Sequence, residues 1–127
     1  MNKELQQNKM DGYFAVITKS GIEKVKCDDI LYFESEGRKI HIHTKGRKIS
    51  FNGSIEHIRE KLDKRFCDCH GSYIVNLTKV VRLYGSNLEI EGGNMLPVSQ
   101  RRSAKTRHSY KTYLTKHFPC NLEDDIV

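Results

Sequence analysis

The sequence predicts a mainly β fold with one helix near its middle and a second at its C-terminal end. Three observations predict it. Short β-prone runs are separated by glycine-containing and polar turns, Lys39 to Thr44 alternates with a strict period of two, and apolar residues recur at helical spacing in only two places.

Tyr13 to Thr18 is rich in β-formers, Lys19-Ser20-Gly21 makes a turn, and Ile22 to Cys27 supplies the partner strand of a first hairpin. Asp28-Asp29 turns the chain into a strand from Ile30 to Ser35, which Gly37 breaks. In the next strand Ile40 and Ile42 share one face, and His41 and His43 share the other, which reads as solvated. Lys45-Gly46 leads into a strand from Lys48 to Phe51.

Ser54 caps the first helix, where Ile55, Ile58 and Leu62 lie three and four residues apart and Glu60 precedes Lys64 at a supporting i,i+4 distance. Phe66 to Val75 is less regular, and Ser72 to Asn76 reads as a strand or tight turn. Val80 to Tyr84 and Leu88 to Ile90 form a hairpin around Gly85-Ser86-Asn87. Met95 to Val98 is a further strand, and Pro97, lacking an N–H, places it at a sheet edge. Ser99 is expected to cap the final helix, which runs to about His117 with a stripe of Tyr110, Tyr113, Leu114, His117 and Phe118. Arg101, Arg102 and Lys105 occupy its first turns, where exposed N–H groups and the helix dipole also favour an anion.

The length of 127 residues suits one domain with its own core. We divide it into a tail or linker end at residues 1–11, a domain at 12–118 and an acidic tail at 119–127. No apolar run approaches the roughly 18 residues of a membrane helix, and the start lacks a signal-peptide pattern, so a cytoplasmic protein without a membrane role is expected. Cys27, Cys67, Cys69 and Cys120 then read as free thiols. Net charge is +6 and unevenly spread: Gly37 to Ile55 and Gly92 to Leu122 contain no acid. Two such basic tracts suit a surface that neutralises phosphates, or a solvated basic face.

Other chemistries fit less well. Cys67-Asp68-Cys69-His70 has a Cys-x-Cys spacing that does not match paired zinc templates, and neither metal nor cofactor is expected. Cys69 beside His70 is read as an ordinary buried cysteine in preference to a redox sensor. Glu34 and Glu36 lack a nucleophile motif, and no phosphate-gripping glycine loop is present, so an enzyme is not expected. Tyr32, Tyr73 and Asn76 are read as core or turn residues.

Phe33-Glu34-Ser35, Lys39-Ile40-His41-Ile42-His43, Phe51-Asn52-Gly53-Ser54-Ile55, His70-Gly71-Ser72-Tyr73-Ile74-Val75-Asn76 and Leu96-Pro97-Val98-Ser99-Gln100-Arg101-Arg102 occur in that order. From Tyr13 to Phe118 the chain resembles the LytTR family of DNA-binding domains of bacterial response regulators. The resemblance implies an elongated set of small antiparallel sheets with little helix, whose loops enter successive major grooves of double-stranded DNA. It also implies a receiver domain in the full-length protein and dimerisation on paired sites. Carried over residue by residue, the contacts are Arg38 and Lys39, then His70 and Ser72, then Ser99 and Arg101.

Arg101 is the expected guanine reader, because a guanidinium fork can bond O6 and N7 together. Lys39, Ser72, Arg102 and Lys105 suit phosphates, which fix register. Two positions depart from the family pattern: Asp68 stands where an arginine is common, and Gly71 where a basic or amide residue is common. A carboxylate there is expected to repel phosphate, and glycine supplies no reader. The alternatives are a β-rich module docking an acidic protein and an RNA binder. Gly37 to Lys48 has no stacking aromatic apart from histidines, which argues against RNA.

Overall fold

Alternation and turn chemistry place ten short strands in the computed structural model, which describes residues 12–122. Strands β1 (Tyr13–Ile17) and β2 (Ile22–Lys26) form a two-stranded hairpin. A five-stranded antiparallel sheet follows, built from β3 (Ile30–Glu36), β4 (Lys39–Thr44), β5 (Lys48–Asn52), β6 (Phe66–His70) and β7 (Tyr73–Asn76). Its spatial order is β5-β4-β3-β7-β6. The third sheet joins β8 (Val80–Tyr84), β9 (Asn87–Ile90) and β10 (Met95–Pro97) in the order β10-β9-β8, so Pro97 lies on an edge strand as expected.

The helices are α1 (Ile55–Arg59) and α2 (Ser103–His117), with single 3₁₀ turns at Cys27–Asp29, Leu77–Lys79 and Gln100–Arg102. Among the described residues no helix is long and apolar enough to cross a membrane. The expected tail at residues 1–11 and the acidic residues 123–127 lie outside the described residues.

The central sheet is covered on both faces. Ile30, Phe33, Ile40, Ile42 and Ile74 face Val16 and Val25 of the first hairpin and Ile55 and Ile58 of α1. On the other face Leu31, Tyr32, Cys67, Cys69 and Val75 meet Leu88, Ile90 and Leu96 of the third sheet and Tyr110 of α2. Burial on both sides explains why Ile30 to Phe33 reads as an unbroken apolar run and not as an alternating one.

Four expectations about element bounds and caps need correction. The first helix stops at Arg59, capped by Ser54, whose Oγ accepts from the His57 N–H, so Glu60 and Lys64 never share a helix face. Phe66 to His70 is a strand, with a register shift against β7 between Asp68 and His70: Cys67 and Cys69 are its buried positions, a signal hidden by counting cysteine as chemistry and not as a small apolar residue. Ser99 makes no side-chain cap; the Gln100–Arg102 turn intervenes, and α2 begins at Ser103. The buried stripe of α2 starts at Thr106, which is fully buried, and ends with Phe118 half exposed, so it sits a turn earlier than the aromatics suggest.

The histidine face of β4 is not solvated. His41 is buried, with Nδ1 2.6 Å from Ser50 Oγ and Nε2 2.8 Å from Glu36 Oε1. His43 Nε2 lies 2.7 Å from Glu34 Oε1, and its ring stacks on Tyr32 at 4.2 Å. Glu34, part-buried, and Glu36, exposed, are thereby each engaged by an imidazole.

Candidate nucleic-acid interface

Three loop segments are lined up at one end of the central sheet by backbone hydrogen bonds. The first is the β3–β4 hairpin, where Glu36 pairs with Lys39 across a two-residue turn, Gly37-Arg38. Gly37 adopts φ +60, a left-handed conformation that glycine takes without strain. The Arg38 carbonyl accepts from the Gly53 N–H at 2.9 Å, which anchors the turn to the start of α1. Arg38 and Lys39 are both exposed.

The second segment is the β6–β7 turn, Gly71-Ser72. The Ser35 N–H donates to the Ser72 carbonyl at 2.8 Å, so this turn lies directly beside the end of β3. His70 Nδ1 accepts from the Ser72 N–H at 3.0 Å, and its ring rests 5.5 Å from that of Tyr73. That bond places the proton of neutral His70 on Nε2, which is then a donor. His70 therefore shapes the turn with one nitrogen and keeps a donor on the other. Gly71 is open: a Cβ built there meets nothing within 4 Å.

The third segment is Ser99 to Arg102. The Ser99 N–H donates to the Cys69 carbonyl at 2.9 Å, fastening it to the outer strand β6. Arg101 and Lys105 are exposed. Arg38, Lys39, Arg101 and Lys105 form no ion pair with any described residue. Arg102 behaves differently: it is 23% exposed and its Nε is 3.1 Å from Asp68 Oδ2. Asp68 also receives Arg59 Nε at 2.7 Å. The acid that was expected to face phosphates is held by two arginines, and Arg59 was not among the expected residues. No spacing in the sequence links Arg59 to Asp68, because the partners come from different elements.

The basic tract from Gly37 to Ile55 is not one surface. Lys45, Arg47 and Lys48 lie at the opposite end of β4, on the order of 15–20 Å away at strand rise. There Arg47 pairs with Glu23, and Lys45 lies 3.9 Å from Glu91.

The cysteines behave as structural residues. Burial, reinforced by neighbouring Cys67, pushes the Cys69 thiol up to about 12. Cys67 and Cys27 are also raised, with burial the largest cause. Because the thiolate is the reactive form and a raised pKa keeps the thiol protonated, Cys69 is unreactive near neutrality. Alkylation of the folded protein at pH 8 is expected to label exposed Cys120 rapidly and Cys69 only after denaturation, as read by peptide mass mapping. Labelling of Cys69 at a rate near that of Cys120 would contradict its burial. Among the described residues, no three His, Cys, Asp or Glu side chains gather as a metal site.

The family model described as the LytTr DNA-binding domain matches residues 20–111. Accessory gene regulator protein A of Staphylococcus epidermidis is 37% identical over 54 residues, covering 41% of this chain and 22% of that protein. The same-named protein of Staphylococcus aureus strain N315 is 39% identical over 54 residues, with the same shares. The matched stretch thus spans about a fifth of those relatives' length. A solved LytTr DNA-binding domain from a Bacillus cereus response regulator superposes with a TM-score of 0.68 at 24% identity, covering 77% of this chain and 95% of that one. That likeness is one of fold.

Proposed function

Because the chain belongs to the LytTR DNA-binding domain family, we propose that it reads double-stranded DNA as the output domain of a bacterial transcription regulator, with its loops in successive major grooves. The observation that carries this reading is the row of three loop segments, hydrogen bonded side by side, with Arg38, Lys39, Arg101 and Lys105 exposed along it. From β3 through β7 and β6 to Ser99 the row crosses three strand spacings, about 15 Å. A major groove is about 12 Å wide, so one groove is too narrow for all three segments and their side chains.

Within this reading Arg101 contacts guanine, while Lys39, Lys105, Arg38 and Ser72 contact phosphate. The Nε2 donor of His70 and the Ser99 hydroxyl lie between them. No side chain caps α2, so its first N–H groups add to the positive potential near Arg101. Arg102, carried by its pair with Asp68, leaves the set of phosphate ligands. A receiver domain in the full-length protein and pairing of two copies on repeated sites in the cytoplasm complete the proposal.

Selection of bound sequences from random duplexes, followed by titration across salt concentrations, tests it. The three cationic phosphate contacts, Arg38, Lys39 and Lys105, predict a log–log salt slope of roughly −2.7, at about 0.9 per neutralised phosphate. A repeated half-site is expected among the selected sequences. Salt-sensitive binding with no enriched sequence would instead favour the acidic-partner reading.

A further inference from the structure

Asp68 presents a carboxylate where the duplex is proposed to lie, and alone it would repel phosphate. Both its oxygens are engaged, Oδ1 by Arg59 Nε at 2.7 Å and Oδ2 by Arg102 Nε at 3.1 Å. Arg59 extends the link, its Nη2 donating to the carbonyls of His70 at 3.4 Å and Gly71 at 3.2 Å. Arg102 extends it the other way, its Nη1 reaching Ser99 Oγ at 3.4 Å and its backbone N–H donating to the Ser99 carbonyl at 3.0 Å. The side chains of Arg59, Asp68 and Arg102 are 21%, 29% and 23% exposed, so salt screens these pairs less than open surface pairs.

Resting on the DNA-binding reading, we propose that Asp68 is a positioning and specificity residue. Its carboxylate stands in for a phosphate between Arg59 and Arg102 and fixes the β6–β7 turn against the Ser99–Arg102 turn. Anchoring Arg102 holds the backbone of its neighbour Arg101, so the reader meets the groove already oriented. The ordering entropy is then incurred during folding and not during binding. The arrangement also separates two adjacent arginines by role: Arg102 faces the protein and Arg101 the duplex.

The test compares wild type with Asp68→Asn by fluorescence anisotropy, on the selected duplex and on random duplex, at several salt concentrations. Positioning predicts that affinity for the selected duplex falls roughly five- to tenfold, within the range set by one misplaced guanine contact. Affinity for random duplex is expected to hold or to rise a fewfold, with a steeper salt slope of about one further phosphate, as Arg102 is released. Parallel tightening on both duplexes would overturn the proposal and leave Asp68 as a simple repulsive charge. Parallel weakening would also overturn it, as generic damage to the fold. If Asp68→Asn lowers the melting temperature so far that binding cannot be compared, Arg102→Gln opens the same link. It should weaken selected binding alone; an equal loss on random duplex would make Arg102 a phosphate ligand and end the proposal. A wild-type protein with no preferred duplex would remove the DNA-binding reading itself, an outcome distinct from a failure of Asp68 alone.

Discussion

Arg101→Ala is expected to lower affinity for the selected duplex by about 10- to 100-fold while changing affinity for random duplex by no more than about threefold. The asymmetry follows from two different kinds of contact. A guanidinium bidentate to guanine discriminates by about 1–3 kcal/mol, whereas a cation on phosphate contributes equally to every sequence. Arg101 is exposed, forms no ion pair with a described residue, and sits on a turn fastened to β6 through Ser99 and Cys69. Among the described residues no acid pairs with its guanidinium, so its loss should appear in binding and hardly in stability. Lys39→Ala and Lys105→Ala provide the contrast, since each should weaken both duplexes alike. Equal losses on the two duplexes for Arg101→Ala would demote it to a phosphate contact and move the search for a reader to His70 and Ser72.

Asn76→Ala is expected to reduce the unfolding free energy by about 2–4 kcal/mol, an effect on the scaffold that involves no ligand. Asn76 is fully buried and uses its whole amide. Nδ2 donates to the Ile30 carbonyl at 2.8 Å and the Cys27 carbonyl at 3.4 Å, and Oδ1 accepts from Thr78 N–H at 3.0 Å and Thr78 Oγ1 at 2.7 Å. It therefore joins the turn before β3 to the turn after β7, which are 46 to 49 residues apart in the chain. Alanine would take that partner from the Ile30 carbonyl, from the Cys27 carbonyl, which keeps the Ile30 N–H, and from the part-buried Thr78 N–H, and each buried group left without a bond costs about 1–3 kcal/mol. Urea unfolding followed by circular dichroism should show a lower midpoint with an unchanged slope. A loss below about 1 kcal/mol would mean that water reaches those carbonyls and that the site is not dry.

Much of this molecule is visible in its residues taken one after another. The alternation of Ile40 and Ile42 with His41 and His43, the Pro97 edge strand and the glycine turns at Gly37 and Gly85 are local patterns, and each appears where it was expected. The ordered series from Phe33-Glu34-Ser35 to Ser99-Gln100-Arg101 carried the family resemblance. What failed locally failed because competing signals overlapped. Cys67 and Cys69 hid a strand, Thr106 hid the start of a helix stripe, and Ser99 offered a cap that the chain did not use.

Sequence alone determined the strand periodicity, the two helices and the residue types along the loops, since these depend on backbone preferences and on neighbours within a few positions. Only the tertiary structure decided which charges remain available. Asp68 and Arg102 are 34 residues apart, Glu23 and Arg47 are 24 apart, and each pair meets because the fold brings a turn or loop arginine against an acid on a strand. Linear charge counts cannot see such cancellation, because Coulomb attraction depends on distance through space and a folded chain sets that distance independently of separation along the backbone.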